Sequence, residues 1–304
     1  MPSIGAAERG GNEMPYVLMT DSDSDLPYRL KVELDIPVVY MPYSLDGKEY
    51  FDDLGQSIDH KTYYDKMRAG ASPVTASLNE ASYEEIFEPI FADGKDILFI
   101  AFSSKMSSTI VAMRSTLERL QQKYPERKYR VVDTLSISAP QTILVIKAHR
   151  LYKEGKSMDE VAEWVEQNKL RTQAWVTVDD LKYLKRGGRI KPVAAAMGTM
   201  LNIKPIIIES KDGLMVSVDK VRGRHKALSY LAEKAAENVE DPANADMIII
   251  HADAPEDAAI LKEKLLAAIP GLTDIATENV GPVIGAHCGP GTIAVCFFGK
   301  ERPQ

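Results

Sequence analysis

Cysteine is scarce in this chain: Cys288 and Cys296 are the only two among 304 residues. A disulfide framework is thereby excluded as the source of stability, and the spacing fits no metal-knuckle pattern. Both points suit a reducing cytoplasm. Positive charge is also in deficit, with 37 Lys and Arg against 44 Asp and Glu and a net charge of -7. That balance argues against nucleic acid as a partner and against strong polybasic attraction to anionic membranes, leaving only local basic sites and transient membrane-surface contact open. No apolar run approaches the roughly 18 residues a membrane-spanning helix needs, so a soluble protein is expected. Residues 1–13 hold three glycines and no continuous apolar stretch of the kind a signal peptide carries. They read as a disordered extension, with ordered structure expected from Met14.

What the chain does contain is a large apolar inventory, 45% of residues, beside 27% charged. This composition and length predict a globular protein of about two domains. Apolar runs at 16–19, 36–41, 97–102 and 130–132 alternate with helical patterns near 59–69, 80–92, 108–122 and 138–153, which predicts an α/β domain with a mostly parallel sheet. After a helix near 158–169, runs at 172–178, 203–209, 214–220, 246–251 and 291–298 follow, and Lys211-Asp212-Gly213 separates two of them. Asp-Gly between apolar runs signals a hairpin, so the second sheet is expected to be mixed. The expected division is an extension over 1–13, an amino-terminal α/β domain over 14–168 and a carboxy-terminal α/β domain over 169–304.

Several loops carry chemistry. Asp180 to Ile190 reads as a short helix bearing Lys182, Lys185 and Arg186 that stops at Gly187-Gly188 and leaves Arg189 at the turn. Cations suit a helix carboxyl end, and a glycine there adopts a left-handed conformation without penalty. Alone, this segment is equally a solvated helix terminus or an anion site. Ligands in open α/β sheets lie beyond the carboxyl ends of the strands. There the chain places Thr20-Asp21-Ser22-Asp23-Ser24-Asp25-Leu26-Pro27, and Ser103-Ser104-Lys105-Met106-Ser107-Ser108-Thr109. In the second, Ser107 or Ser108 is free to cap the next helix while others face a ligand. Asn79 is the natural cap of the helix from Glu80, which leaves Thr75 and Ser77 without capping duty. Glycine and proline surround His287 in Gly281 to Thr292, which reads as an ordered loop before a final buried strand.

Taken together these segments resemble the DegV family, fatty-acid-binding proteins whose bacterial members include the lipid-carrying subunit of fatty acid kinase. The resemblance runs from about Tyr16 to Phe298 and includes Leu201-Asn202-Ile203-Lys204-Pro205 and Val283 to Thr292. It implies a fatty acid lying between two α/β domains, its carboxylate held by Thr75, by Ser103 or Ser104, and by His287, with Arg189 near the head group or supporting its loop. Asp21, Ser22, Gly187, Gly188, Gly289 and Gly291 would shape the supporting loops. Met106, Met197, Met200, Leu201 and Ile284 adjoin the polar segments and are candidates for the acyl tunnel. The resemblance further implies a bound fatty acid as the only ligand, no metal or other cofactor, no catalytic residue, and a separate kinase as partner. Three departures stand out: Ala76-Ser77-Leu78 replaces Ser-Gln-Pro, Ser108 replaces a usual glycine, and Cys288 a usual threonine.

A competing reading starts from Asp21-Ser22-Asp23 after an apolar strand, which looks like the opening of Mg²⁺-dependent haloacid-dehalogenase-type phosphatases, with Ser103, Asp253 and Asp257 completing the set. Against it, Asp25 stands where that motif has threonine or valine. Calcium binding by the same acidic run is disfavoured, because Leu26 takes the glycine position of an EF-hand loop.

Overall fold

The computed structural model describes residues 14–189 and 202–303. The extension expected over 1–13 lies outside them, as do Met197, Met200 and Leu201 of the expected tunnel. In chain order the first half runs β1 (Tyr16–Asp21), α1 (Tyr28–Glu33), β2 (Val38–Val39), β3 (Pro42–Leu45), β4 (Lys48–Phe51), α2 (His60–Arg68), β5 (Val74–Thr75), α3 (Glu80–Ala92), β6 (Asp96–Ala101), α4 (Thr109–Lys123), β7 (Tyr129–Asp133), α5 (Ala139–Lys153) and α6 (Met158–Asn168). The second half runs β8 (Thr172–Thr177), α7 (Lys182–Gly187), β9 (Ile203–Glu209), β10 (Met215–Arg222), α8 (Arg224–Asn238), β11 (Ile248–His251), α9 (Pro255–Ala268), β12 (Ala276–Asn279), α10 (Pro282–Cys288) and β13 (Ile293–Phe298).

The first sheet is parallel throughout, ordered β2-β1-β6-β7. β6 is buried from Ile97 to Ala101, the continuous apolar run expected of a parallel strand covered on both faces. The second sheet is mixed, ordered β10-β9-β8-β13-β11-β12, with only β11 and β12 parallel. The Asp212-Gly213 turn does join an antiparallel pair, β9 and β10. The protein is thus an α/β fold with a parallel-sheet domain and a separate mixed-sheet domain.

α5 packs on β1 and β6 of the first sheet and on β8 and β13 of the second. It is accordingly buried without interruption from Ala139 to Val145, as a helix with protein on both sides must be. A second link comes from near the end of the chain. The fully buried Arg302 donates to the carbonyls of Thr172 and Leu135 and sits 2.9 Å from Oε2 of Glu209, while Oε1 of Glu209 accepts the Ile137 N–H at 2.6 Å.

Three features differ from the sequence expectation. The apolar run 36–41 yields only the two-residue β2, and a small antiparallel sheet, β4-β3-β5, follows it, turned at Asp46-Gly47. Its strands are short and partly exposed, so they lack the apolar weight that marks a strand. Helices α8 and α9 lie between strands already identified. The stretch around His287 is a helix, α10, and not a loop: Pro282 occupies its first turn, where a missing N–H costs nothing, and Gly289 at φ 80° ends it.

Candidate functional site

Two distant segments meet at a hydroxyl and an imidazole. Thr75 ends β5 in the first domain, His287 sits in the last turn of α10 in the second, and Oγ1 of Thr75 is 2.9 Å from Nε2 of His287. Burial pushes the imidazole down to about 4, helped by the positive charges of Arg189 and Arg186, so the ring is neutral at pH 7. The glycine pair explains the close packing. Gly188, not Gly187, is the left-handed residue (φ 67°) that closes α7, and its N–H bonds the carbonyls of Leu184 and Lys185. Gly187 is the last helical residue, and a Cβ there would overlap the His287 ring at Nδ1.

Thr75, His287 and Arg189 border one cavity of about 140 Å³. Arg189 donates to the Gly187 carbonyl at 2.5 Å, and among the described residues it has no acidic partner. Among the described residues nothing else accepts from its remaining N–H donors, a fork that suits an anion. The rest of the wall is mainly apolar and includes Met106 and Ile284 from the expected tunnel. A second, apolar chamber of about 60 Å³ adjoins, with Ala174, Val176, Ile250 and Ala294 in its wall. Ile137, Met215, Ile284 and Cys288 border both chambers and form the partition between them.

The serine loop is arranged differently from the expectation. Ser103 is fully buried, and its hydroxyl donates to the Gly213 carbonyl at 2.9 Å, tying the first domain to the β9–β10 turn. Ser104 gives its N–H to Asp133. Neither borders the cavity; Ser107 and Thr109 do. The turn after β6 carries the loop past the sheet edge before α4 begins, so the hydroxyls that reach the cavity are those at the helix start. Ser107 Oγ also accepts the Thr109 N–H at 3.3 Å. Arg186 is likewise no mere solvated cation: it donates to Ser72 and to the Ala286 carbonyl, fixing α7 between the approach to Thr75 and the end of α10. Lys182 pairs with Asp180 on the surface.

Asp21 and Ser22 act on backbone. Asp21 accepts the backbone N–H of Phe102 and a side-chain amide N–H of Gln141, both at 3.1 Å, and Ser22 Oγ accepts the Met41 N–H at 2.9 Å. Gly289 and Gly291, at φ 80° and 81°, carry the chain from α10 into β13. Asp253 pairs with Arg68 and Asp257 with Arg224. Among the described residues no three His, Cys, Asp or Glu side chains are grouped to hold a metal ion. Burial pushes the Cys288 thiol up to about 12, so it stays protonated beside His287.

The geometry is that of a neutral hydrogen-bonding pair and a cation without an acidic partner among the described residues, at the edge of an apolar space. A family model described as uncharacterised DegV-family protein matches residues 16–300. The chain belongs to the DegV family. A DegV domain-containing protein of Clostridium perfringens is 38% identical over 287 residues, covering 94% of this chain and 98% of the relative. Two solved DegV structures, both described as fatty-acid binding, superpose closely. The one from Thermus thermophilus has a TM-score of 0.82 at 27% identity, covering 94% of this chain and all of its own. The one from Streptococcus agalactiae has 0.81 at 29%, covering 95% and 100%.

In this DegV chain the supports of α10 escaped the sequence reading. Asp25 accepts the Gly281 N–H at 2.8 Å, so a buried carboxyl from the first domain holds the amino end of the helix that carries His287. Tyr63 and Tyr64 of α2 donate to the carbonyls of Pro282 and Val280 at 2.7 and 2.8 Å. Asp25 lay within a run singled out for other reasons. Tyr63 and Tyr64 sit in no motif, and only the chain's three-dimensional path reveals their role.

Proposed function

We propose that this chain holds a long-chain fatty acid in the interdomain cavity, carboxylate toward Thr75, His287 and Arg189 and tail toward the second chamber. The observation that carries the reading is Arg189, a cation without an acidic partner among the described residues, at the border of an apolar cavity beside the Thr75–His287 pair. The fatty-acid binding of the Thermus and Streptococcus relatives supports it.

The proton count sharpens the head-group geometry. Thr75 has one O–H to give. If it gave that proton to Nε2, only lone pairs would face a carboxylate. A carboxylate ligand therefore selects the imidazole tautomer with its proton on Nε2, so that His287 donates to Thr75 and Thr75 donates to the ligand. Ser107 at the start of α4 is a further donor within the same wall.

Energetics divide the labour. Each buried methylene contributes about 0.8 kcal/mol, so a long tail gains on the order of 10 kcal/mol gross. Association removes several kcal/mol of that, and each charge-assisted bond to the carboxylate returns about 1.5–3 kcal/mol. The tail supplies affinity and the head group sets register. Both chambers are smaller than the roughly 300–1,000 Å³ of common small-molecule sites, so a long chain must part Ile137, Met215, Ile284 and Cys288. Rotamer changes of Met215 do this at little cost.

We further propose that the protein works in the cytoplasm as a carrier without chemistry of its own, presenting the carboxylate to a separate kinase that makes the acyl phosphate. Its contribution is positioning. Solvent extraction of protein purified from cells, followed by mass spectrometry, should release a fatty acid; none released and no uptake of added palmitate would sink the binding reading. The carrier role is tested by adding a fatty acid kinase catalytic subunit and ATP and trapping acyl phosphate as the hydroxamate, with no product expected when this protein is omitted.

A further inference from the structure

One group in the wall of the proposed acyl cavity lacks a partner. Asp23 lies in the short 3-10 turn that follows β1, borders the cavity and is only 5% exposed. Its Oδ1 is buried without a hydrogen-bond partner among the described residues. Its neighbours are better provided. Asp21 is met by Phe102 and Gln141, and Asp25 by Ser138 and Gly281. Burial, together with the charges of Asp21, Asp52 and Asp25, pushes the Asp23 carboxyl well above the usual carboxylate range. These surroundings favour its protonated form, which has one O–H to donate and a carbonyl oxygen to accept.

Its position along a bound chain follows from its surroundings. The Asp23 carbonyl accepts the Ser138 N–H at 3.0 Å, which sets the residue next to Ile137 at the partition between the two chambers. The acidic neighbours repel a carboxylate from this spot, whereas Arg189 attracts one to the Thr75–His287 end. A fatty acid in that register runs its hydrocarbon past Asp23. Plain methylenes would cover a carboxyl and leave its polar atoms dry, a loss comparable to a buried unsatisfied hydrogen bond. A hydroxyl on the chain would both accept from Asp23 and donate to it. Thr109, whose Oγ1 is 3.0 Å from the Tyr83 hydroxyl, borders the same cavity and offers a second polar contact.

We propose that the cavity is matched to a hydroxylated long-chain fatty acid, whose chain hydroxyl exchanges hydrogen bonds with the Asp23 carboxyl. The proposal rests on the fatty-acid reading and specifies its ligand. The test is competition against a fluorescent fatty acid using stearic acid and a set of hydroxystearic acids that differ in hydroxyl position. At one position the hydroxy acid should bind about tenfold tighter than stearic acid. Asp23→Asn, which keeps a donor and an acceptor, should retain that ratio, and Asp23→Val should bring it to about one. Asp23→Ala is read in the same way should the valine variant not fold. Stearic acid binding with no hydroxyl position preferred, or a preference that survives both apolar replacements, overturns the proposal while leaving the fatty-acid reading intact. Failure of stearic acid and every hydroxy acid to bind removes both.

Discussion

Oγ1 of Thr75 and Nε2 of His287 stand 2.9 Å apart, joining the end of a two-residue strand in one domain to the last turn of a helix in the other. The pair crosses the interface at the cavity that also presents Arg189, so under the proposed function its removal should act on ligand binding before it acts on either core.

Thr75→Val should therefore weaken palmitate binding about tenfold or more, the worth of one charge-assisted hydrogen bond. Methyl palmitate, which has no carboxylate, should lose much less. Equal dissociation constants for palmitate in the variant and the parent, by fluorescent displacement, would remove Thr75 from the head-group site.

Ser103 and Ser107 should separate cleanly. Ser107→Ala is expected to weaken palmitate binding. Ser103→Ala should leave affinity in place and lower stability by about 1 kcal/mol through the lost bond to Gly213. The reverse pattern, in titration and urea melts run on both variants, would return the ligand contact to Ser103.

Gly187→Ala pits helix propensity against packing. Alanine is favoured over glycine within a helix by about 1 kcal/mol. Its Cβ, however, would overlap His287, and overpacking costs roughly 1–3 kcal/mol. The expected outcome is a net loss of stability together with weaker palmitate binding. A variant that is more stable and binds normally would show that the ring yields freely.

Breaking the Arg302–Glu209 pair with Arg302→Met should cost about 3–5 kcal/mol, because it strands a buried carboxyl. Replacing both partners by apolar residues should recover part of that loss in chemical denaturation. If the single and double replacements match the parent, the pair does not hold the domains together.

Stability should fall as pH rises from about 6.5 to 8. Burial pushes Asp21, Asp25 and Glu209 up to about 7, against about 4 for a carboxyl in the unfolded chain. Between these values the folded state holds protons that the unfolded state has lost, so the stabilisation is complete below pH 4 and gone once pH passes the folded value. Histidines shifted downward, His287 among them, act in the opposite sense, but only below about 6.5, their unfolded value. Thermal melts of the parent and of Asp25→Asn should diverge in slope over this window, the variant being flatter. Parallel curves would mean that Asp25 does not titrate there.

The parallel sheet, the β9–β10 hairpin and the polar loops were legible because each leaves a local mark: an uninterrupted apolar run, an Asp-Gly step, hydroxyls after a strand. That Thr75, Arg189 and His287 border one cavity was legible only through their membership of ordered motifs. That Ser107, and neither Ser103 nor Ser104, borders the cavity was not, since it turns on where a loop passes the sheet edge, which no residue type records. Nor was α10, whose seven residues are too few to show a helical period and whose proline and neighbouring glycines read locally as an ordered loop. Its anchors, Asp25, Tyr63 and Tyr64, lie more than two hundred positions earlier and leave no trace near the helix they hold.

That separation has a consequence for synthesis. The bonds from Asp25 to Gly281, Tyr63 to Pro282, Tyr64 to Val280 and Thr75 to His287 close loops of 256, 219, 216 and 212 residues. Contacts so far apart in sequence are slow to form. On the ribosome the first domain can complete its sheet long before its counterpart emerges, yet the Thr75–His287 pair must wait until α10 of the second domain has been made. Ligand capture by a nascent chain would then mark the end of assembly, and an occupied cavity would distinguish finished molecules from incomplete ones.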